Sequence, residues 1–429
     1  MSFKTIIIYF TMEKIKDKYI VLLFSLNLFW APLFFSVSSI LGINNYENGA
    51  PGYTDGILIT GFLSLLVVIL NNKTKVFDKS LYTLLFPIFM LFQYMLSPSN
   101  STSNQFFLYY IGFCIPSTFV GVYIARNGGI KHCTRWLDLV MFAITIGLVF
   151  AIPTLTASTF ITNADISFGG ASYQQMAYMA GFAFTLNLTG LLFGDTYDRF
   201  QFMKTRGATI LCTLLLVVQL ISCFYSGGRG GFIYLAVCSG ALLFFSKNTK
   251  YIYYIALFVL LLYVVSVFLK GSIFADIVSY RMERTFSFIS SSGGIDTQNR
   301  GEVWDYANKL EGESTIFGTG IFPYYQLFRQ RFDQPYVHNF FLEVLIQGGV
   351  LYFVFWIIII IRAIRKLYFE VKSDISNTVL LVLFLYPFIT LCFSSTYLQS
   401  ALLWFMLSYL HSSTISVSKI QDKPIKNLN

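Results

Sequence analysis

Three residues in this sequence stand in settings where their types could do chemistry. Arg229 lies among glycines in "YSGGRGGFIYL", residues 225–235. Arg300 opens "NRGEVWDYANKLEGES", residues 299–314. His338 precedes Asn339, Glu343 and Gln347 in "QPYVHNFFLEVLIQGG", residues 334–349. A guanidinium is a permanent cation whose forked donors suit phosphate or carboxylate. Glycines beside it, such as Gly228 and Gly230, let backbone N–H groups come close to an anion. An imidazole with an ordinary pKa of about 6.5 accepts protons at neutral pH.

Each residue also has a plainer reading. Arg229 fits an interface arginine that buries its stem and keeps its head in water. His338 fits an interface histidine. Asn339, Glu343 and Gln347 recur at i, i+4 and i+8, a polar stripe on an apolar helix. At about 1.5 Å per residue, Glu343 lies roughly 6 Å below the helix start. A carboxylate there requires a partner or a watery cavity, so a structural polar seam fits it as well as direct catalysis does. The long stretch around Arg300 also carries Arg281, Arg284, Lys309, Arg329 and Arg331 interleaved with acidic residues. Most of these read as a solvated face of weak ion pairs.

The elements that must hold these residues are membrane helices. Of the 429 residues, 55% are apolar, 18% aromatic and only 12% charged, against about 25% charged in soluble domains. The apolar residues fall in blocks long enough for a hydrocarbon core about 30 Å thick. The blocks are 19–42, 56–71, 80–97, 106–125, 137–157, 174–194, 207–225, 230–246, 251–270, 339–361, 377–395 and 398–411. The expected fold is therefore an all-α polytopic membrane protein of about twelve transmembrane helices. One large loop, 271–338, separates helices 1–9 (residues 1–270) from helices 10–12 and the tail (339–429). It is expected to carry short amphipathic helices, one of them opening at Asn299 and presenting Trp304, Ala307 and Leu310 on one face. "FGTGIFPYY" reads as a turn-rich stop.

The net charge of +9 is a topology signal and no sign of nucleic-acid binding. Of the 30 Lys and Arg, 22 fall in seven segments that the apolar blocks place on one side. By the positive-inside rule that side is cytoplasmic, with both termini inside. Arg229 is then the one basic residue in a short outer loop, and His338 the one histidine outside. The six cysteines show no disulfide or metal spacing. The N-terminus lacks the form of a cleavable signal, and Met12 is a candidate start. No repeat supports an inverted-repeat transporter. Phosphate-loop and H-E-x-x-H motifs are missing too, so a mechanism without metal or cofactor is the simpler expectation.

In combination, "GGASYQQMAYMAG", "SGGRGG", "NRGEVW", "FGTG" and "HNFFLEVLIQGGV" resemble the O-antigen polymerase and O-antigen ligase superfamily over roughly residues 170–361. The first 150 residues match only in being hydrophobic. The resemblance implies a glycosyltransferase of the bacterial inner membrane, with its active site on the periplasmic face. Its donor would be an undecaprenyl-diphosphate-linked oligosaccharide. A polymerase would pass the glycan to a sugar hydroxyl of another lipid-linked repeat; a ligase would pass it to lipid A–core. Extreme apolar content and the weakly matching first half favour the polymerase. A flippase or transporter is the remaining alternative, disfavoured because the spans lack charge at mid-depth. On the family pattern, Arg229 and Arg300 bind the diphosphate and His338 acts toward the acceptor. Gly228, Gly230, Asn339 and Glu343 complete the expected substrate-binding set, with the glycines leaving room for the diphosphate. Membrane lipids, a chain-length regulator and a flippase are the expected partners.

Overall fold

The computed structural model of the chain describes residues 26–43, 52–71, 85–127, 129–151, 168–226, 228–246, 300–313, 316–332 and 335–413. Among these residues there is no strand, only an isolated bridge between Phe168 and Ala171. Eight helices are long and apolar enough to cross a membrane, and three shorter apolar helices accompany them. Together they account for every apolar block read from the sequence except 251–270. That block lies outside the described residues, as do Met12, Arg281, Arg284 and Asn299. The protein is an all-α, multi-pass membrane protein.

The helices run α1 (Trp30–Ile40), α2 (Tyr53–Asn71), α3 (Phe86–Met95), α4 (Ser101–Tyr109), α5 (Ile115–Arg126), α6 (Thr134–Ala151) and α7 (Tyr173–Phe193). They continue with α8 (Arg206–Ser226), α9 (Arg229–Ser246), α10 (Arg300–Glu313), α11 (Ile321–Arg331), α12 (Phe340–Ser373), α13 (Val379–Phe393) and α14 (Ala401–Ser412). A π-helical turn at Tyr110–Cys114 joins α4 to α5. Helix α7 is the centre, with α6, α8, α9 and α13 packed around it. Every residue from Met176 to Gly190 is buried, as expected of a helix that is apolar on all faces. It opens with a capping box in which Ser172 and Gln175 each bind the other's backbone N–H.

Two helices of the loop segment are set against this bundle. In α10, Val303, Ala307 and Leu310 are buried at i, i+4 and i+7, so the amphipathic face expected there is present. Helix α11 goes deeper than a surface helix, because Tyr324, Tyr325 and Phe328 have no exposed area. It packs on α4 and α12. The stop read from "FGTGIFPYY" is thus confined to its first residues. The chain turns at Phe317–Gly320 and re-enters a helix at Ile321. Pro323 is tolerated because first-turn N–H groups need no helical acceptor.

Helix α12 has 34 residues, about 50 Å at 1.5 Å each, far longer than a bilayer core. It is broken at Gly349, whose φ of 67° and ψ of −169° are not helical. The turn before α11 fills the break. Thr319 N–H donates to the Ile346 carbonyl at 2.8 Å and Gly320 N–H to the Gln347 carbonyl at 2.9 Å. A Cβ on Gly349 would lie 2.1 Å from the Ile316 carbonyl oxygen. Only glycine accommodates both that contact and the positive φ.

At the lysine- and arginine-rich end of the bundle, charges are paired. Arg199 donates from Nε and Nη2 to the two Asp138 oxygens at 3.0 and 2.7 Å, and from Nη1 to the Gly190 carbonyl at 2.8 Å. This forked pair is buried and joins α6, α7 and the turn after α7. Two exposed pairs, Lys131–Asp374 at 2.5 Å and Arg135–Asp198 at 2.6 Å, lie at the same end. Partial burial acts to raise the Asp374 carboxyl, but hydrogen bonds from Lys131 and Ser376 outweigh it and hold the group below its ordinary value.

Candidate functional site

The His338 turn and the Arg300 helix are joined at the end of the bundle away from the Arg199–Asp138 pair. His338 ends the segment between α11 and α12. Its backbone is left-handed at φ 58°, and it is the one non-glycine residue with positive φ among those described. Histidine tolerates this region better than bulky residues, yet the conformation persists only where the surroundings impose it. The surroundings here are two clamps on Val337. Its N–H donates to the Tyr324 hydroxyl of α11 at 2.9 Å, and its carbonyl accepts from Trp304 Nε1 of α10 at 3.3 Å. His338 itself is buried, at 6% exposure, with its ring edge-on to Tyr336 at 4.7 Å.

Trp304 belongs to the "NRGEVW" stretch, and Arg300 begins the same helix one turn earlier. Two motifs are therefore joined by the bond from Trp304 to Val337, across 33 residues of sequence. Arg331, at the end of α11, lies over the Tyr306 ring of α10 at 4.7 Å. That cation–π contact holds the two loop helices together.

Asn339 and Glu343 are engaged inside the protein. Asn339 caps α12, its Oδ1 accepting from the N–H groups of Phe341 and Leu342 at 3.1 and 3.2 Å. Glu343 has no exposed area. Its Oε1 accepts from the Thr396 hydroxyl at 2.6 Å, the Tyr325 hydroxyl at 2.8 Å and Gln347 Nε2 at 3.2 Å. Gln347 in turn accepts from the Tyr397 hydroxyl at 2.6 Å. Burial, reinforced by the neighbouring Glu343, holds the Tyr325 phenol well above its usual range, so it stays a donor. The carboxylate thus ties α11, α12 and the link between α13 and α14 at one point.

The Arg229 turn lies between α8 and α9, with Arg229 itself partly exposed. Its glycines are explained by α7. A Cβ on Gly228 would sit 2.6 Å from the Ala177 Cβ, one on Gly230 1.8 Å from the Tyr178 hydroxyl, and one on Gly231 2.5 Å from the Ala177 carbonyl carbon. Bare backbone is what lets this turn press onto the first turns of α7.

Between the Arg229 turn and the His338 turn is a cavity of about 260 Å³. Tyr178, which touches Gly230, lines it, and so does Tyr336, which touches His338. Its other walls include Phe35, Tyr53, Tyr386 and Gln399, from helices distant in sequence. None of the individual candidate residues lines it, although Gln175, Tyr178 and Met179 of "GGASYQQMAYMAG" and Tyr336 beside His338 do. The one available signal was the polar start of α7, where Gln174, Gln175 and Tyr178 interrupt an apolar span. Among the described residues, no three His, Cys, Asp or Glu cluster in a way that could hold a metal.

No curated protein matches this chain. Residues 214–357 match the family model described as O-antigen ligase. The match runs from within α8 into α12 and contains Arg229, Arg300, His338, Asn339 and Glu343. This segment is similar to the O-antigen polymerase and ligase superfamily, whose members are glycosyltransferase-like membrane enzymes.

Proposed function

We propose that this protein is an O-antigen polymerase of the bacterial inner membrane, acting at the periplasmic face on undecaprenyl-diphosphate-linked oligosaccharide. The observation that carries the reading is the convergence of three separate motifs at one end of the bundle. Trp304 of the Arg300 helix holds the His338 turn, and one cavity is lined by Tyr336, which touches His338, and by Tyr178, which the Gly230 backbone approaches. Arg229 and Arg300 bind the donor diphosphate. An acceptor sugar hydroxyl attacks the anomeric carbon; the new glycosidic C–O bond forms as the bond from that carbon to the diphosphate oxygen breaks. The hydroxyl proton passes to His338, and the lipid diphosphate leaves with its charge stabilised by the two guanidinium groups. Asn339 and Glu343 position the His338 turn, and Gly228 and Gly230 seat Arg229 against α7.

Arg229→Ala and Arg300→Ala are expected to abolish chain extension while membrane insertion and protein level persist. Normal polymer from either variant would sink the diphosphate role. The matched family, described as O-antigen ligase, favours a second reading, the ligase. Surface polysaccharide in a deletion strain separates the two. Loss of a polymerase leaves core capped with a single repeat, whereas loss of a ligase leaves bare core and accumulated lipid-linked polymer.

A further inference from the structure

The cavity between the two turns has a chemistry of its own. It is lined by aromatic rings and by hydroxyl and amide groups, and among the described residues no Lys, Arg, Asp or Glu lines it. Several of its polar groups are unused. Among the described residues, the Gln399 amide and the Tyr53, Tyr386 and Ser395 hydroxyls make no hydrogen bond, although all four line the cavity. Such groups on the wall of a cavity are donors and acceptors awaiting a ligand or water. Aromatic faces supply the apolar contact and neutral groups the direction, the usual division in a small-molecule pocket. At about 260 Å³ the space lies just under the roughly 300–1,000 Å³ of ordinary ligand pockets. It has room for one ring and not for a chain of them.

We infer that this cavity holds a single uncharged sugar ring, the one at the reacting bond. The inference rests on the glycosyl-transfer reading above and adds a specificity to it. An anionic sugar such as a uronic acid would lose its hydration there without meeting a cation among the described lining residues, and burying an unpaired charge is costly. The charged part of the donor is served outside the cavity, at the Arg229 turn that backs onto Tyr178. A neutral ring inside and a diphosphate at the edge would leave the anomeric carbon at the boundary between them.

The test uses the full-length protein in lipid nanodiscs and saturation-transfer NMR with two probes, methyl N-acetyl-β-glucosaminide and methyl β-glucuronide. The neutral glycoside is expected to receive saturation and the glucuronide none. Tyr386→Phe combined with Gln399→Leu removes two donors, and the affinity for the neutral probe is expected to fall about five- to tenfold. An equal signal from the double variant, an equal signal from the glucuronide, or no signal from either probe would each overturn the inference. The same sugar linked to citronellyl diphosphate identifies the source of the ring. Tighter binding that Arg229→Ala abolishes marks the donor, and equal binding of the two forms marks the acceptor. The polymer phenotype of Arg229→Ala is read separately, so failure of the glycosyl-transfer reading is distinguishable from failure of the cavity assignment.

Discussion

The two ends of this bundle solve the problem of buried polarity in opposite ways. At the basic end, Arg199 meets Asp138 in a forked ion pair and exposed pairs close the surface around it. At the other end Glu343 is buried among hydroxyls and an amide, with no cation among its hydrogen-bond partners. The first arrangement satisfies opposite charges against each other and leaves little space, a gap of about 20 Å³ beside Arg199. The second spends neutral donors on one carboxylate and leaves a much larger cavity nearby. A closed seam and an open site are what these two chemistries produce.

The largest expected effect comes from breaking the seam. Arg199→Leu leaves Asp138 buried without its cation and should destabilise the protein by about 3–5 kcal/mol, read as a lower midpoint of thermal unfolding in detergent. Adding Asp138→Leu should recover much of the loss. If it does not, the pair is more than a lock. Glu343→Ala should cost less, about 2–4 kcal/mol, since it strands the Tyr325 and Thr396 hydroxyls but removes the carboxylate itself. On the proposed function it should also depress product yield per folded molecule, because α12, which the His338 turn enters, loses its tie to α11. Glu343→Gln, which keeps an acceptor for both hydroxyls, should restore most of both.

Gly349→Ala should cost about 1–3 kcal/mol through its left-handed φ and the clash with Ile316. An unfolding midpoint equal to that of the unaltered protein would mean the kink relaxes. The smallest effect is a pH dependence at the basic end. Asp374 has a depressed folded-state pKa, so its contribution is present above the unfolded carboxylate value and is lost as pH falls through the folded one. The pair is exposed and screened, which limits the effect to under about 1 kcal/mol. Asp374→Asn should flatten the acid limb of a stability–pH curve without moving its neutral plateau.

The helices were legible in the sequence because apolar blocks of span length have few alternatives in lipid. Their faces were less so. Trp304, Ala307 and Leu310 marked an amphipathic helix, but nothing in their spacing showed that the indole would bind the Val337 carbonyl. The glycines beside Arg229 were read as room for an anion, whereas the neighbour they meet in the structure is α7. The stripe of Asn339, Glu343 and Gln347 was visible at helical spacing, whereas Tyr325, Thr396 and Tyr397, which complete the network, come from elsewhere in the chain. The cavity was not legible, since its walls run from Asn27 to Leu402. No local pattern encodes a space that six or more separate segments enclose.

The break in α12 also bears on how the protein is made. A membrane helix with freed carbonyls tolerates lipid only when other donors reach them. Here the donors, the N–H groups of Thr319 and Gly320, belong to a segment synthesised before the helix they complete. When α12 first enters the bilayer its hydrogen-bond ladder is unfinished, and it closes only as that earlier segment docks. Insertion of this span and folding of the segment ahead of it are therefore one event. A variant that disturbs the docking turn should show itself first as a defect in biogenesis.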